Sequence, residues 1–154
     1  MHKLRIYIDT SVIGGCFDSE FETDSNKLLE KFKNGEMIAV LSELTVQELD
    51  PAPEYVKSIL EEIPDEFLEK VPSLPEAKVL AESYVSFGAV PSHSATDALH
   101  IALATINRVD VLVSWNFKHI VNIKRIHAYN GVNLKEGYTQ LEIRSPKEVL
   151  YEEF

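Results

Sequence analysis

Short apolar runs alternate with helical patterns along the chain, and this alternation constrains the fold more than any other feature. Residues 4–8, 37–41 and 109–113 are rich in β-forming side chains, and residues 141–144 form a candidate edge strand. Such runs, bounded by polar turns, are typical of buried strands. Strands that alternate with helices predict an α/β fold in which a mostly parallel sheet is covered on both faces.

Helical patterns fill the spaces between these strands. Residues 24–34 have apolar positions at helical spacing with Gly35 at the expected stop, and Ser42 is placed to cap a helix that carries Glu48. Residues 94–106 are apolar on most faces and predict a buried helix. Residues 53–86, punctuated by prolines, predict two or three helices and no strand. Two further helices are expected, over residues 119–135 and from Ser145-Pro146 onward.

Length and composition are those of an ordinary globular protein. The 154 residues predict a single domain over 1–154, with 45% hydrophobic and 26% charged residues. We expect a cytoplasmic protein because the sequence shows neither a signal peptide nor a transmembrane span. Cys16 is the only cysteine, which excludes an intramolecular disulfide and a cysteine-cluster metal site, and we expect it to be buried.

The net charge has two interpretations. A formal charge of −10 argues against electrostatic binding of nucleic acid over a broad surface, since such binding usually needs a basic surface. Carboxylates that attract a divalent cation would contribute part of that charge, and basic residues can still gather around them. The charge therefore does not exclude an enzyme that acts on nucleic acid.

Four polar residues stand at or just after predicted strand ends or in the first turn of the buried helix. In open α/β sheets, ligands bind in the crevice beyond the carboxyl ends of the strands. Asp9 closes the first strand, Glu48 lies on the helix after the second, Asp97 begins the buried helix and Asn116 follows the strand at 109–113. We expect these four side chains to face one crevice.

Each acid also has a structural alternative. Asp9 has the residue type of a helix N-cap, Glu48 stands three residues after Thr45 at capping-box spacing, and Asp97 stands three residues after Ser94. Asp97 argues most strongly for a ligand role, because it enters the most buried helix of the chain, where an unpaired carboxylate is unfavourable. A metal ion would satisfy it.

Histidines and lysines near these acids have two interpretations each. His100 shares a helical face with Asp97, so it is a candidate hydrogen-bonding partner or metal ligand, or simply a core histidine. His119 and His127 lie in a basic stretch with Lys118, Lys124 and Arg125. That stretch is either a set of phosphate contacts or a solvated helix face.

Four segments, in order along the chain, resemble the four motifs of the PIN-domain nucleases. They are Asp9-Thr10-Ser11, residues 42–49 with Glu48, residues 96–104 with Asp97, and residues 111–116 ending in Ser114-Trp115-Asn116. The third is the most specific, and the order and spacing match over essentially the full length. The chain is most similar to VapC-type toxins of toxin–antitoxin pairs, in particular to a branch with a Trp-Asn pair in the fourth motif.

The resemblance implies a three-layer α/β/α sandwich that cleaves RNA with Mg²⁺ or Mn²⁺. Asp9 and Asp97 would be the principal metal ligands, with Glu48 as a ligand or a partner that orients water. Asn116 completes the candidate ligand set, and Thr10, Ser11, His100 and Ser114 are candidates for contacts to substrate, water or the ligands. A small antitoxin that blocks the acidic crevice is the implied protein partner. A homodimer of this chain is a further candidate assembly. No membrane contact is expected.

Asn116 is the departure from the family pattern, since many members carry an acid there. An amide brings no charge and cannot act as a base, so a second metal site would be weaker. The alternative to a metal-dependent endoribonuclease is therefore a PIN-like binding module that has lost efficient catalysis and acts through protein partners. Retention of the three principal acids favours the enzyme. The sequence has no P-loop and no dinucleotide-binding fingerprint.

Overall fold

A five-stranded parallel sheet forms the centre of the protein in the computed structural model, which describes residues 2–152. Its strands stand in the order β3-β2-β1-β4-β5, and every neighbouring pair is parallel. The predicted parallel α/β sheet is therefore confirmed. The strands are β1 (Arg5–Ile8), β2 (Ile38–Ser42), β3 (Leu68–Val71), β4 (Val111–Val113) and β5 (Ile143–Arg144).

Helices connect the strands and cover the sheet. Short 3₁₀ turns occupy residues 58–62, 65–67 and 92–94. The α-helices of the described chain are α1 (Thr10–Gly15), α2 (Glu22–Lys33), α3 (Glu43–Leu49), α4 (Glu54–Lys57), α5 (Pro75–Ser86), α6 (Ala95–Ile106), α7 (Ile123–Lys135) and α8 (Pro146–Tyr151).

Two hydrophobic cores, one on each face of the sheet, account for the near-continuous apolar strands. Alternate residues of β1 point to opposite faces. Tyr7 packs into the core that contains residues of α5, α6 and α7, whereas Ile6 and Ile8 pack into the core that contains residues of α1 and α2. Val149 of α8 belongs to the second core. The three-layer arrangement expected from the sequence is confirmed.

The prediction that residues 53–86 contain no strand is wrong. Residues Leu68–Val71 form β3, which pairs in parallel with β2 at the edge of the sheet. Two of its four residues, Glu69 and Lys70, are charged, so the segment lacks the apolar run of a buried strand. Long-range contacts hold it, including the ion pair in which the Arg5 guanidinium of β1 donates to Glu69.

Several helix ends follow the sequence signals. Gly35 ends α2 with a positive φ of 75°, a conformation that glycine adopts without strain. Ser145 caps α8 in a full capping box with Glu148. The helix expected over 119–135 begins later, at Ile123, because Asn122 caps its first turn. Cys16 is buried, as expected. Among residues 2–152, no helix is both long and apolar enough to span a membrane.

Candidate metal centre

The sheet brings the predicted polar residues to one edge. Asp9 follows β1 and Ser114 follows β4, and these strands are direct parallel neighbours with Ile8 opposite Val113. Ser42 ends β2, the neighbour of β1 on the other side. The carboxyl ends of parallel strands open onto the same crevice. The topology therefore places these residues where a ligand site is expected.

Two hydroxyl groups hold the Asp9 carboxylate. Ser11 Oγ donates to Oδ1 and Ser114 Oγ donates to Oδ2, both at 2.6 Å. Asp9 is only 6% exposed, and burial raises the pKa of its carboxyl against the lowering effects of His100 and the two serines. Each oxygen keeps a lone pair beyond the serine bond, so a cation can still bind this carboxylate.

The same two serines also hold the loop after β4. The Trp115 backbone N–H donates to Ser11 Oγ at 2.9 Å, and the Asn116 backbone N–H donates to Ser114 Oγ at 2.9 Å. Their hydroxyl hydrogens are already given to Asp9. We conclude that Ser11 and Ser114 position Asp9 and the loop in this structure, and a contact of either one with substrate stays a prediction.

Glu48 lies on α3 and is fixed through one of its oxygens. Thr10 Oγ1 donates to Oε1 at 2.9 Å, and His100 Nε2 lies 2.5 Å from the same atom. Burial raises the pKa of the Glu48 carboxyl, but His100 and Thr10 outweigh that effect and the net pKa is lowered. Glu48 is therefore ionised at neutral pH, and its Oε2 accepts no hydrogen bond from residues 2–152.

Asp97 stands in the first turn of α6 and, unlike Asp9 and Glu48, accepts no hydrogen bond from the side chains or backbone groups of residues 2–152. Burial raises its pKa, and the charges of Asp9 and Glu48 raise it further, whereas His100 and His119 lower it. Asp97 therefore lies near enough to Asp9 and Glu48 for their charges to act on it, and the three carboxylates repel one another when all are ionised.

His100 belongs to a buried chain of hydrogen bonds that the sequence analysis identified only in part. It is 2% exposed, its Nδ1 lies 2.7 Å from the Tyr7 hydroxyl, and that hydroxyl lies 2.8 Å from Ser42 Oγ. Both ring nitrogens therefore have partners, so His100 orients Glu48 and does not ligate a metal here. Tyr7 was missed, although a tyrosine inside an apolar strand needs a partner for its hydroxyl.

The structural alternatives for the three acids are not supported by their hydrogen bonds. Asp9 occupies the N-cap position of α1 without a side-chain capping bond. The N-cap of α3 is Ser42, so Thr45 and Glu48 cannot form a capping box. Ser94 precedes α6 but makes no side-chain cap, and Asp97 does not complete a box with it. Asp97 does stand in the first turn of α6, where its charge complements the helix N-terminus, and the Val12 backbone N–H lowers the pKa of Asp9, but none of the three acids makes a side-chain capping hydrogen bond.

Asn116 differs from the expectation. Its Oδ1 accepts from the backbone N–H groups of Lys118 and His119, at 3.2 and 3.0 Å, so the side chain closes the turn after β4. Both lone pairs of the amide oxygen are thereby used. In this conformation Asn116 does not offer that oxygen to a cation, because the local turn competes for it.

The basic stretch divides into two parts. His119 lies beside Asp97, as their mutual pKa effects show, and its ring makes an edge contact with His93 at 5.8 Å between centroids. Burial lowers the pKa of His119, which favours the neutral ring. His127 is exposed on α7 with Lys124, as expected for a solvated helix face.

The donor set fits a hard divalent cation held in an open site. Carboxylate oxygens are the ligands such ions prefer, and the unpaired Asp97 carboxylate beside two other acids gains most from a positive charge. Within residues 2–152, however, no three His, Cys, Asp or Glu side chains are gathered as a ready-made metal shell. Mg²⁺ usually binds through one or two carboxylates and keeps several waters, so a closed protein shell is not required.

The comparisons with known proteins agree with this architecture. No protein-family model matches the chain, and no curated protein sequence matches it. Solved structures do. A chain of VapBC2 from Rickettsia felis bound to promoter DNA is 14% identical, with 92% of this chain and 98% of that chain covered and a TM-score of 0.55.

Two further structures give the same result. FitAcB from Neisseria gonorrhoeae is 16% identical, with 92% of this chain and 98% of that chain covered and a TM-score of 0.57. Mycobacterium tuberculosis VapC20, described as a toxin that cleaves the sarcin–ricin loop, is 9% identical, with 88% and 98% covered and a TM-score of 0.58. Over nearly its whole length, the chain therefore has the fold of these VapBC, FitAB and VapC structures, which is the PIN-domain fold expected from the sequence.

Proposed function

We propose that the protein is a divalent-metal-dependent endoribonuclease and the toxin of a toxin–antitoxin pair. The observation that carries the proposal is the Asp97 carboxylate, which accepts no hydrogen bond from residues 2–152 and lies near enough to Asp9 and Glu48, at the carboxyl edge of the sheet, for their charges to raise its pKa. Such an arrangement is electrostatically unfavourable unless a cation or a proton neutralises it. The shared fold supports the proposal, and one of the similar structures is described as an RNA-cleaving toxin.

Mg²⁺ or Mn²⁺ is the cation we propose, held by Asp9 and Asp97. When bound, such an ion polarises a phosphoryl oxygen and lowers the pKa of a bound water. Glu48 acts as a further ligand or as the group that orients the attacking water through Oε2. Ser11 and Ser114 hold Asp9 in place, and Thr10 and His100 hold Glu48. We leave Asn116 outside the ligand set because its amide oxygen is committed to the turn.

A small antitoxin is the proposed protein partner. Several of the similar structures are of VapBC and FitAB assemblies, some of them bound to DNA. A partner that covers the acidic crevice would hold the nuclease inactive until it is released. This partner, like the RNA substrate, is proposed by analogy with the shared fold, and co-purification with the product of a neighbouring short reading frame would test it.

The proposal predicts RNA cleavage that depends on a divalent cation. The purified protein should cleave RNA with Mn²⁺ or Mg²⁺, stop in EDTA and recover when the ion is restored in excess. Asp9→Asn should be inactive, because it removes a ligand charge from the buried site. Cleavage that continues undiminished in chelator, or in Asp9→Asn, would overturn the metal mechanism. Binding of Mn²⁺ without cleavage of any RNA would instead favour the binding-module alternative.

A further inference from the structure

A buried chain of side-chain hydrogen bonds ends at Glu48. It runs from Ser42 Oγ to the Tyr7 hydroxyl at 2.8 Å, from that hydroxyl to His100 Nδ1 at 2.7 Å, and from His100 Nε2 to Glu48 Oε1. Its members come from β1, β2, α3 and α6. Three side chains of the chain are buried, and its only partly exposed end is Glu48.

The ends of the chain fix the role of the imidazole. Glu48 is an ionised acceptor, so the nitrogen that faces it, Nε2, must carry the proton. The Tyr7 hydroxyl lies 2.7 Å from Nδ1 and 2.8 Å from Ser42 Oγ, so it can donate to the unprotonated Nδ1. With Thr10, the imidazole holds Oε1 from two sides and leaves Oε2 without a donor from residues 2–152.

We propose that Tyr7, acting through His100, is a positioning residue that fixes the rotamer of Glu48 and so presents Oε2 to the metal or its water. The proposal rests on the proposed function for the identity of the ion. Partners that orient a ligand in this way typically contribute 10- to 100-fold to metal affinity or activity. Tyr7 and His100 do not touch substrate or metal in this assignment.

Two substitutions of His100 separate the two ends of its ring. In His100→Gln the side-chain nitrogen occupies roughly the place of Nε2, so the donor to Glu48 is kept and the partner of Tyr7 is lost. In His100→Asn the amide reaches only the place of Nδ1, so the donor to Glu48 is lost. We expect His100→Gln to bind Mn²⁺ more tightly than His100→Asn.

Tyr7→Phe is the direct test, with Tyr84→Phe as its matched control. Tyr84 is also fully buried, lies in the same core and has its hydroxyl bonded to Asn133, away from the acids. Both variants should lose stability, but only Tyr7→Phe should lower Mn²⁺ affinity in calorimetry, by about 10-fold or more. Equal Mn²⁺ affinity in Tyr7→Phe and wild type would overturn the positioning role.

A spectroscopic measurement on the metal-free protein makes the test independent of cleavage. In ¹⁵N spectra that resolve the ring nitrogens, His100 of the wild type should carry its proton on Nε2. In Tyr7→Phe the ring should instead be a mixture of the Nε2-protonated and Nδ1-protonated forms. A ring protonated only on Nδ1 would overturn the positioning role. If the wild type binds no Mn²⁺, the proposed function is overturned together with the positioning role. If the wild type binds Mn²⁺ and Tyr7→Phe binds it with the same affinity, only the positioning role is overturned.

Discussion

Asp97 is the side chain on which we expect the proposed function to depend most. Its carboxylate accepts no hydrogen bond from the described part of the chain, residues 2–152, and burial and the charges of Asp9 and Glu48 raise its pKa. Asp97→Asn should therefore lower metal-dependent cleavage at least about 100-fold. Loss of a residue that only orients a metal ligand costs up to about 100-fold, and loss of the ligand itself should cost at least as much. The same change should keep or raise the melting temperature in EDTA at neutral pH, because it removes like-charge repulsion.

Cleavage assays and melting curves in EDTA would test Asp97→Asn, with Glu66→Gln as the control for a lost surface charge. Glu66 is exposed in the 3₁₀ turn of residues 65–67, away from the acids. We expect it to change neither quantity. An unfolded Asp97→Asn variant, or one that cleaves at the wild-type rate, would show that Asp97 has a structural role.

Asn116 gives a second prediction at the scale of one residue. Because its Oδ1 accepts two backbone N–H bonds in the turn, an aspartate can take over the same bonds. Asn116→Asp should thus leave Mn²⁺ affinity within about 3-fold of wild type, and Asn116→Ala should lose about 1 kcal/mol of stability, as for a lost cap. A large gain in Mn²⁺ affinity with a loss of apo stability would instead restore Asn116 to the ligand set.

The acids of the site could be predicted individually, but their geometry could not. Asp9 and Asp97 are recognisable because polar residues at strand ends and at the start of an apolar helix have few structural explanations. The Tyr7–His100 contact joins residues 93 positions apart, and only the folded chain brings them together. The orientation of Asn116 depends on a rotamer, which spacing along the sequence does not specify.

At the scale of elements, α1 is packed against the loop that follows β4. A methyl group added at Gly15 would lie 2.6 Å from Ser25 Oγ and 2.8 Å from Trp115 Nε1, two atoms that hydrogen-bond to each other. Gly15→Ala should therefore destabilise the protein by about 1–3 kcal/mol, the usual range for overpacking a core. It should also disturb the loop whose backbone binds Ser11.

The neighbouring glycine provides the control for this prediction. Gly14 lies in the same helix with nothing within 4 Å of an added Cβ. Gly14→Ala should be neutral or stabilise by up to about 1 kcal/mol, because alanine favours helix over glycine. Urea unfolding of both variants would measure the difference, and equal stabilities would show that α1 does not pack closely on the loop.

The strands differ in how far the sequence could predict them. β1, β2 and β4 are buried on both faces and therefore consist of apolar runs that stand out in the sequence. β3 is a four-residue edge strand with Glu69 and Lys70 in its middle, and only its pairing with β2 makes it a strand. Local periodicity carries no information about such a partner.

At the scale of the whole molecule, the sheet explains how a chain with a net charge of −10 can concentrate its acids without unfolding. Two cores enclose the strands, and the three acids gather at one open edge, where solvent or a cation can compensate them. Four of the five strands and the longer helices could be predicted from the pattern, whereas β3 and the short α1 could not. The strand order could not be predicted, since it depends on which strands pair across 29 or more residues.

The whole-molecule prediction concerns stability against pH in the absence of metal. The pKa values of Asp9 and Asp97 are raised, so the folded protein binds protons more readily than the unfolded chain above about pH 4. Their ionisation therefore lowers the free energy of unfolding as pH rises. Glu48 has the opposite effect, since its lowered pKa gives stability that is present above about pH 4.3 and lost as pH falls further.

Above about pH 5 Glu48 is ionised in both states, and the effect that opposes the two aspartates comes from His119, whose lowered pKa gives stability that is lost as pH falls below about 6.5. We expect urea unfolding in EDTA at about pH 5 and about pH 7.5 to show that the rise in pH costs the wild type stability relative to Asp97→Asn, which keeps all other titrating groups, His119 included. Mn²⁺ should restore stability more at the higher pH, because it binds the folded state and competes with protons for the carboxylates. If the free energy of unfolding changed between these two pH values by the same amount in the metal-free wild type and in Asp97→Asn, then Asp97 would not be repelled by the other two acids, and this description of the site would be wrong.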